Sequence, residues 1–419
     1  MNRLTSDQQF VLDQIMFRLG GGNKSFSSTE FHPDFSYVTI GGYAGTGKTY
    51  LINEIRKEIK SKWKNINVAF VAFTGKASSV LGVKLEESKT LEEFDFCGTI
   101  HSLMYQPEFH YDKNLKRMVI TKWIKKSGLK DAYDLIFIDE ASMVNKELWR
   151  DISEYDIPII AVGDHGQLPP IGDGFNLIEK PMYTLTEIKR QALDNPIIQL
   201  SQDIRNGKEI PFGYYNDQNK GVFKLSWNNP ECKKIFDNIN FKDENLIILC
   251  GMNKTRVMLN QMVRDKLTFN RPEPYPSERL VCLRNNYRNK IMNGQIGTLL
   301  FLMYEKKNIY NITIQMDGFS EPHGSIIHNC CFGKENYDEA FAELHEKSKF
   351  YKKVVKESGY DQIDLFDFGY CVSCHKAQGS EWKKVILFQE RSYYWDNDFY
   401  KRWLYTASTR AKEKLFIIK

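Results

Sequence analysis

No apolar stretch in this 419-residue chain approaches the ~20 residues that span a bilayer; the longest, such as Asn245 to Cys250 and Ile157 to Val162, have the length of buried strands. A charge excess of one sign is lacking too. The 58 Lys and Arg against 53 Asp and Glu leave a net charge of +5, too slight to mark a nucleic-acid binder by itself, so any basic groove must be local. The eight cysteines (97, 232, 250, 282, 330, 331, 371 and 374) are scattered instead of forming the dense framework of a small disulfide protein, and reduced thiols are expected. Internal repeats and long low-complexity tracts are absent. Near the amino terminus Asp7, Gln8, Gln9 and Asp13 fall where a secretory signal needs its apolar run, which predicts a cytoplasmic protein with no membrane partner. What remains is ordinary globular usage, 42% hydrophobic and 26% charged, which excludes wholesale disorder, collagen and coiled coil. The length suggests about two to three domains.

The pattern along the chain is α/β. The first segment predicts a helix capped by Thr5 or Ser6, with Phe10, Val11, Ile15 and Met16 on one face, ending at Gly20-Gly21-Gly22. From Tyr37 onward, short apolar runs alternate with helical stretches: YVTIGG, then Lys48 to Lys60; VAFVAF, then Lys76 to Leu81; DLIFID, then Asn145 to Ile152; then IPIIAVGD. That alternation predicts a parallel sheet covered by helices. It restarts with NLIILCG and a helix to about Lys266, and continues with CVSC, VILF and LFIIK, so two α/β domains are expected. Two stretches break the rhythm. Between Tyr105 and Trp123 a polar Asp112-Lys113-Asn114 turn flanked by aromatic, basic and β-branched residues suits a hairpin. From Glu278 to about Gly318 the runs read as a compact antiparallel β unit, followed by a polar, helix-prone stretch through Lys356.

Gly42-Tyr43-Ala44-Gly45-Thr46-Gly47-Lys48-Thr49 has the spacing of a phosphate loop, after an apolar run and before a helical one. Glycines turn backbone N–H groups towards phosphate oxygens, the helix amino terminus adds a favourable dipole, Lys48 reaches the β and γ phosphates, and Thr49 ligates Mg²⁺. Asp139 and Glu140 end the run Leu135 to Ile138, a strand's carboxyl end. Asp139 there would hold Mg²⁺ and Glu140 would orient or deprotonate the attacking water; alone, such an ending is commonly a solvated edge. A third strand end, Ala161 to Asp164, leads into His165-Gly166-Gln167-Leu168-Pro169-Pro170, where Gln167 either senses the γ phosphate or sits on a proline-rich turn. Cys371 and Cys374 have metal-ligand or redox spacing, and Cys330 and Cys331 are adjacent, but a buried strand sends alternate side chains to opposite faces, which argues against a zinc site.

Taken in order, these motifs resemble superfamily 1 helicases, and most closely the superfamily 1B branch of Dda-type and RecD-like enzymes. LTSDQ places Gln8 where that family reads adenine; GYAGTGKT is similar to motif I; VAFTGKAS, with Thr74 and Lys76, resembles motif Ia; and Thr99-Ile100-His101-Ser102-Leu103 resembles the next DNA-contacting motif. IDEAS is similar to motif II and GDHGQLPPIG to motif III. LTEIKRQ resembles motif IV, which would make Arg190 an arginine finger. Met252-Asn253-Lys254-Thr255 looks like the second-domain DNA-contacting turn, and NGQIG at 293–297 like a segment of the small β domain. Ser373 to Glu381 resembles motif V, with Gly379 and Glu381 on the nucleotide side, and Leu404 to Ala411 resembles motif VI, making Arg410 a second finger. Ser373 stands where the branch usually has Thr, and Cys374 where it usually has an aliphatic residue. The large amino-terminal domain of the RecD subunit proper is missing, so a stand-alone Dda-like enzyme is expected.

The resemblance implies two RecA-like P-loop NTPase domains. Domain 1A would cover 1–184, with a hairpin insertion (1B) at about 105–124; domain 2A would comprise 185–275 and 366–419, interrupted at 276–365 by a small SH3-like β-barrel (2B). It implies ATP and Mg²⁺ bound between the RecA-like domains, 5′ to 3′ movement on single-stranded DNA, unwinding of forked duplex, a monomeric state, and single-strand-binding or replication and recombination proteins as partners. For DNA grip the residues are Thr74, Lys76, Thr99, His101, Asn253, Ser373 and His375, whose hydroxyls, amides and cations hold phosphates without reading sequence. Phe109 and Tyr111 in the hairpin either stack on a base or split the fork, or else pack the hairpin onto its domain. A P-loop kinase or switch would explain Lys48, Thr49 and Asp139 but not the motif V and VI segments; a catalytically silent DNA-binding module would not need the hydrolytic set. A translocase that remodels protein–DNA complexes without unwinding shares every motif.

Overall fold

A computed structural model describes residues 3–22, 30–112, 117–170, 172, 174–188, 194–216, 221–286, 291–306, 308–337 and 362–419. The chain divides into two compact units: residues 1–108 with 122–207, and 109–121 with 208–419. The strand Tyr183–Leu185 pairs in the first unit's sheet, and that unit runs on through the helix Pro196–Arg205, beyond the 184/185 division drawn from sequence.

In the first unit six parallel strands lie in the order β3-β2-β6-β7-β1-β8: β1 is Tyr37–Gly42, β2 Val68–Ala72, β3 Phe96–Thr99, β6 Leu135–Asp139, β7 Ile159–Gly163 and β8 Tyr183–Leu185. Strands β2, β6 and β7 are buried along their whole length, which is why they read as unbroken apolar runs. Parallel register sets the strand ends level: Gly41 opposes Gly163, and Ala72 opposes Asp139. The loops that follow therefore gather on one rim.

Helix α1 (Ser6–Leu19) starts at Thr5, whose side chain and Gln8 form a reciprocal capping box. Its buried face is Val11, Leu12, Ile15 and Leu19, whereas Phe10 is exposed; the sequence reading put Phe10 inwards because it counted apolar residues without the docking direction. Helix α2 is Lys48–Lys62, α3 Gly75–Glu87 and α4 Ile100–Met104. A two-stranded hairpin, β4 (Tyr105–Asp112) and β5 (Arg117–Lys125), occupies the stretch expected to carry one. The short helix Leu129–Ala132 (α5), the helix Lys146–Ser153 (α6) and Pro196–Arg205 (α7) complete the unit's α-helices among the described residues.

The second unit has a sheet of order β17-β11-β18-β19-β10-β9: β9 is Gly213–Asn216, β10 Gly221–Leu225, β11 Leu246–Cys250, β17 Cys371–Ser373, β18 Trp382–Phe388 and β19 Ala411–Ile418. All pairs are parallel except β9 with β10. Helices α8 (Pro230–Asn238), α9 (Asn253–Lys266) and α10 (Asn397–Ser408) belong to this unit. Between β11 and β17 the chain builds an antiparallel sheet of order β15-β14-β13-β12-β16, with β12 Arg279–Cys282, β13 Ile296–Lys306, β14 Ile309–Met316, β15 His323–His328 and β16 Phe366–Phe368. Arginines from α9 fasten it: Arg264 pairs with Glu278 at 2.9 Å and Arg256 with Asp367, all four groups buried. Removing one partner of such a pair costs about 3–5 kcal/mol. Of the helix-prone stretch expected through Lys356, His323–His328 instead forms β15, paired with β14, and residues 338–356 lie outside the described residues. No helix among the described residues is long and apolar enough to cross a membrane.

Candidate functional site

The phosphate loop connects β1 to α2 on the first unit's carboxyl rim. Gly45 and Gly47 take φ of 84° and 77°, left-handed values that favour glycine. At Gly42 a Cβ would sit 2.6 Å from Thr46 Oγ1, so the turn closes only with glycine there. Lys48 Nζ donates to the carbonyls of Gly42 (2.9 Å) and Tyr43 (3.1 Å), folding its ammonium over the loop. Thr46 is fully buried, and its carbonyl accepts a 2.7 Å bond from Gln8 Nε2, while Gln8 Oε1 accepts from Thr5 N. Gln8 thus ties α1 to the loop with both ends of its amide. Asp7 secures the same corner by accepting the N–H groups of Thr186 (2.6 Å) and Glu187 (2.8 Å).

Three further residues reach this rim from neighbouring strand ends. Asp139, last residue of β6, is buried and accepts the Glu140 N–H at 2.9 Å. Burial pushes its carboxyl above the ordinary value, against the Glu140 N–H, the Lys48 and Lys84 charges and the Thr49 hydroxyl. Glu140 has φ of 54°, a left-handed conformation for a non-glycine residue that marks a constrained turn. Asp164, directly after β7, is fully buried, and its Oδ2 lies 3.9 Å from Lys48 Nζ and 3.5 Å from Gln167 Nε2. It therefore couples the phosphate loop to the following turn. Tyr43 is held from two sides, by the His165 ring (centroids 4.1 Å apart) and by the Arg205 guanidinium 3.5 Å above its ring.

The Thr49 hydroxyl and the Asp139 carboxylate are hard oxygen donors in contact, and a carboxylate desolvated beside phosphate-binding N–H groups suits a divalent cation held chiefly by nucleotide and water. The residues fit Mg²⁺ with a nucleotide phosphate.

In the second unit, Arg410 is buried, its Nε bonded to Thr406 O (3.0 Å), Nη1 to Ser380 O (3.3 Å) and Nη2 to Thr409 Oγ1 (3.1 Å). Those contacts join the end of α10 to the turn after β17. At the start of α9, Glu390 accepts the N–H groups of Gly251 (2.6 Å) and Met252 (3.2 Å) and the Thr255 hydroxyl.

Two family models match the chain: an AAA domain over residues 32–221 and a UvrD-like helicase C-terminal domain over 368–418. The ATP-dependent RecD2 DNA helicase of Deinococcus radiodurans is 23% identical over 99% of this chain and 48% of its own length. ATP-dependent DNA helicase Pif1 of Campylobacter jejuni is 25% identical over 90% of this chain and 87% of its own. The chain thus spans about half of one relative and most of the other. The crystal structure of Bacteroides Pif1 bound to ssDNA superposes with a TM-score of 0.52 at 16% identity, covering 99% of this chain and 92% of that one. Together these matches support a superfamily 1B helicase. These relatives are ATP-dependent DNA helicases, and the two parallel sheets share the RecA-like fold of the Pif1 structure.

The structure brings Gln8, Gly42, Gly45, Thr46, Gly47, Lys48, Thr49, Asp139, Glu140 and Gln167 to one rim of the first unit. Thr74 and Thr99 lie at the carboxyl ends of neighbouring strands there, where each caps a helix: Thr74 accepts the Ala77 N–H and Thr99 the Ser102 N–H. Lys76 stands in the first turn of α3, and His101, in α4, lies against the rings of Phe73 and Tyr105. Burial lowers the His101 pKa, favouring neutral imidazole. Asn253 opens α9, Ser373 ends β17 beside Cys250, and His375, whose pKa burial also lowers, lies 6.1 Å from the Phe399 ring. Gly379 has φ of 71°, and Glu381 reaches Lys412 at 3.0 Å on the surface. Arg190 and the side chains of Phe109 and Tyr111 lie outside the described residues.

Sequence reasoning missed Asp164, Arg205 and Glu390. Only Asp164 had a signal, an acidic residue directly after an apolar strand. The cysteines form no metal centre among the described residues: Cys371 Sγ meets Cys250 Sγ at 3.6 Å, and Cys374, its thiol pushed up to about 12 by burial, faces the Trp403 carbonyl.

Proposed function

We propose that this chain is an ATP-driven DNA helicase that moves 5′ to 3′ on single-stranded DNA and unwinds duplex. The observation that carries the reading is the cradle on the first rim, where Lys48, Thr49, Asp139, Asp164 and Gln167 interlock around a glycine turn. The backbone N–H groups of residues 45–49 bind the phosphates, and Lys48 exchanges its loop carbonyls for β and γ oxygens. Thr49 and Asp139 hold Mg²⁺, which when bound neutralises charge on those oxygens. Glu140 orients and deprotonates the attacking water, Gln167 senses the γ phosphate, and Arg190 and Arg410 supply the cations that phosphoryl transfer gains most from. Gln8, Gly379 and Glu381 border the nucleotide.

Thr74, Lys76, Thr99, His101, Asn253, Ser373 and His375 grip the DNA backbone, and the hairpin at 105–124 serves as domain 1B, with Phe109 and Tyr111 at the fork. In the same reading the first unit, through the helix Pro196–Arg205, forms domain 1A, the parallel sheet of the second unit forms 2A, and the antiparallel sheet β12 to β16 is an SH3-like 2B. The protein acts as a monomer in the cytoplasm, alongside single-strand-binding or replication and recombination proteins. Forked duplexes with either a 5′ or a 3′ single-stranded tail, incubated with ATP and Mg²⁺, test this. Unwinding from the 5′ tail alone, lost in Lys48→Ala, is expected. ATP hydrolysis on single strands with neither duplex opened would make the protein a translocase that remodels protein–DNA complexes.

A further inference from the structure

The loop between β18 and α10 is anchored at both ends and bare in the middle. At its start Glu390 is bound to the Gly251 and Met252 N–H groups and to Thr255. At its end Trp395 turns inwards against Phe399 (ring centroids 5.2 Å apart) and Trp403 (5.3 Å), and a Cβ at Gly251 would collide with its ring. Between these anchors Tyr393 is 98% and Tyr394 92% exposed, while the next most exposed large apolar side chain among the described residues, Phe94, is at 70%. The loop's own packing is done by Trp395, so the two tyrosines are not needed to hold it.

Their position suggests an occupant. Strands β17, β11 and β18 run parallel, with Cys250 opposite Ser373 and Leu249 opposite Leu387, so their carboxyl ends share one rim. That rim carries Asn253, Ser373 and His375, and Glu390 joins the tyrosine loop directly to the turn before Asn253. The two rings meet edge to face, with centroids 6.0 Å apart and planes 82° apart, which leaves a flat face of each open to solvent. Arg391, exposed two residues before Tyr393, adds a cation to the same loop, its guanidinium 5.0 Å from the Tyr400 ring. Aromatic faces next to phosphate-holding groups are the arrangement by which proteins hold single strands without reading sequence.

We propose that Tyr393 and Tyr394 form a base-stacking platform for single-stranded nucleic acid on the second RecA-like domain. This rests on the helicase reading and adds a base-contacting element to the backbone grip assigned to that rim. Both side chains are solvent-exposed, so their replacement leaves the core intact.

The test is equilibrium binding of the full chain to a labelled oligothymidylate and to an abasic strand of equal length and phosphate number. The wild type is expected to bind the thymidylate more tightly. Tyr393→Ala/Tyr394→Ala should weaken thymidylate binding about 10-fold or more and leave abasic binding unchanged, and Tyr393→Phe/Tyr394→Phe should bind like the wild type. A double alanine variant that binds thymidylate as tightly as the wild type, or that loses as much on the abasic strand, overturns the platform alone. A wild type that binds neither strand overturns the platform and the helicase reading together.

Discussion

The two RecA-like sheets present the same feature, a parallel strand running into a helix amino terminus, and fill it differently. In the first unit the loop from β1 to α2 is glycine-rich, no side chain caps the start of α2, and Lys48 lies 3.9 Å from Asp164 beside it. In the second, β11 passes to α9 in two residues, and the Glu390 carboxylate accepts the N–H groups of Gly251 and Met252. A helix amino terminus attracts an anion in either case. In the proposed function one unit gives that place to a phosphate, whereas the other fills it with a carboxylate of its own chain. The fold alone therefore does not make a nucleotide site, and the proposed function assigns the second rim to DNA grip and to Arg410.

The most damaging way to probe this contrast is at Lys48. Lys48→Ala should reduce ATP hydrolysis by about 100-fold or more without lowering the melting temperature, read by phosphate release and thermal denaturation. Next comes Asp164→Asn, which removes the charge between Lys48 and Gln167; we expect about a 10-fold loss of hydrolysis, because both partners keep their places but lose their common anchor. Glu390→Ala should act on the other unit only, costing about 1–2 kcal/mol of stability in denaturant unfolding and sparing hydrolysis without DNA. If it abolished that basal hydrolysis, the division of labour between the rims would be wrong.

The smallest effect is on pH, with one histidine on each unit. Burial lowers the pKa of His101 and of His375 below their value in the unfolded chain, so the unfolded state binds more protons as the pH falls. Stability is then fully present above the ordinary histidine value of 6.5 and is lost as the pH drops through and below it. Melting temperatures followed from neutral to mildly acidic pH should fall less steeply in His375→Gln than in the wild type.

Much of this was legible in the sequence. Strands buried on both faces announce themselves as apolar runs, so β1, β2, β6, β7, β11 and β18 were readable, and the glycine spacing around Lys48 fixed the phosphate loop. The antiparallel unit was visible from β12 to β14, but β15 and β16 joined it from farther along the chain. What stayed hidden depends on tertiary placement. Glu390 lies 139 positions from the Gly251 N–H it caps. Arg205 meets Tyr43 through a helix whose docking no local pattern encodes, and Gln8 spends its amide on the loop backbone. The face of α1 was misjudged for the same reason: Leu12, not Phe10, looks into the core.

The proposed function assigns nucleotide binding to the first unit and a part in hydrolysis to Arg410. Steady-state ATP hydrolysis of Arg410→Ala, with and without single-stranded DNA, tests it most directly. Nucleotide binding retained with DNA-stimulated hydrolysis reduced about 100-fold or more is the predicted result. DNA-stimulated hydrolysis at the wild-type rate would contradict it.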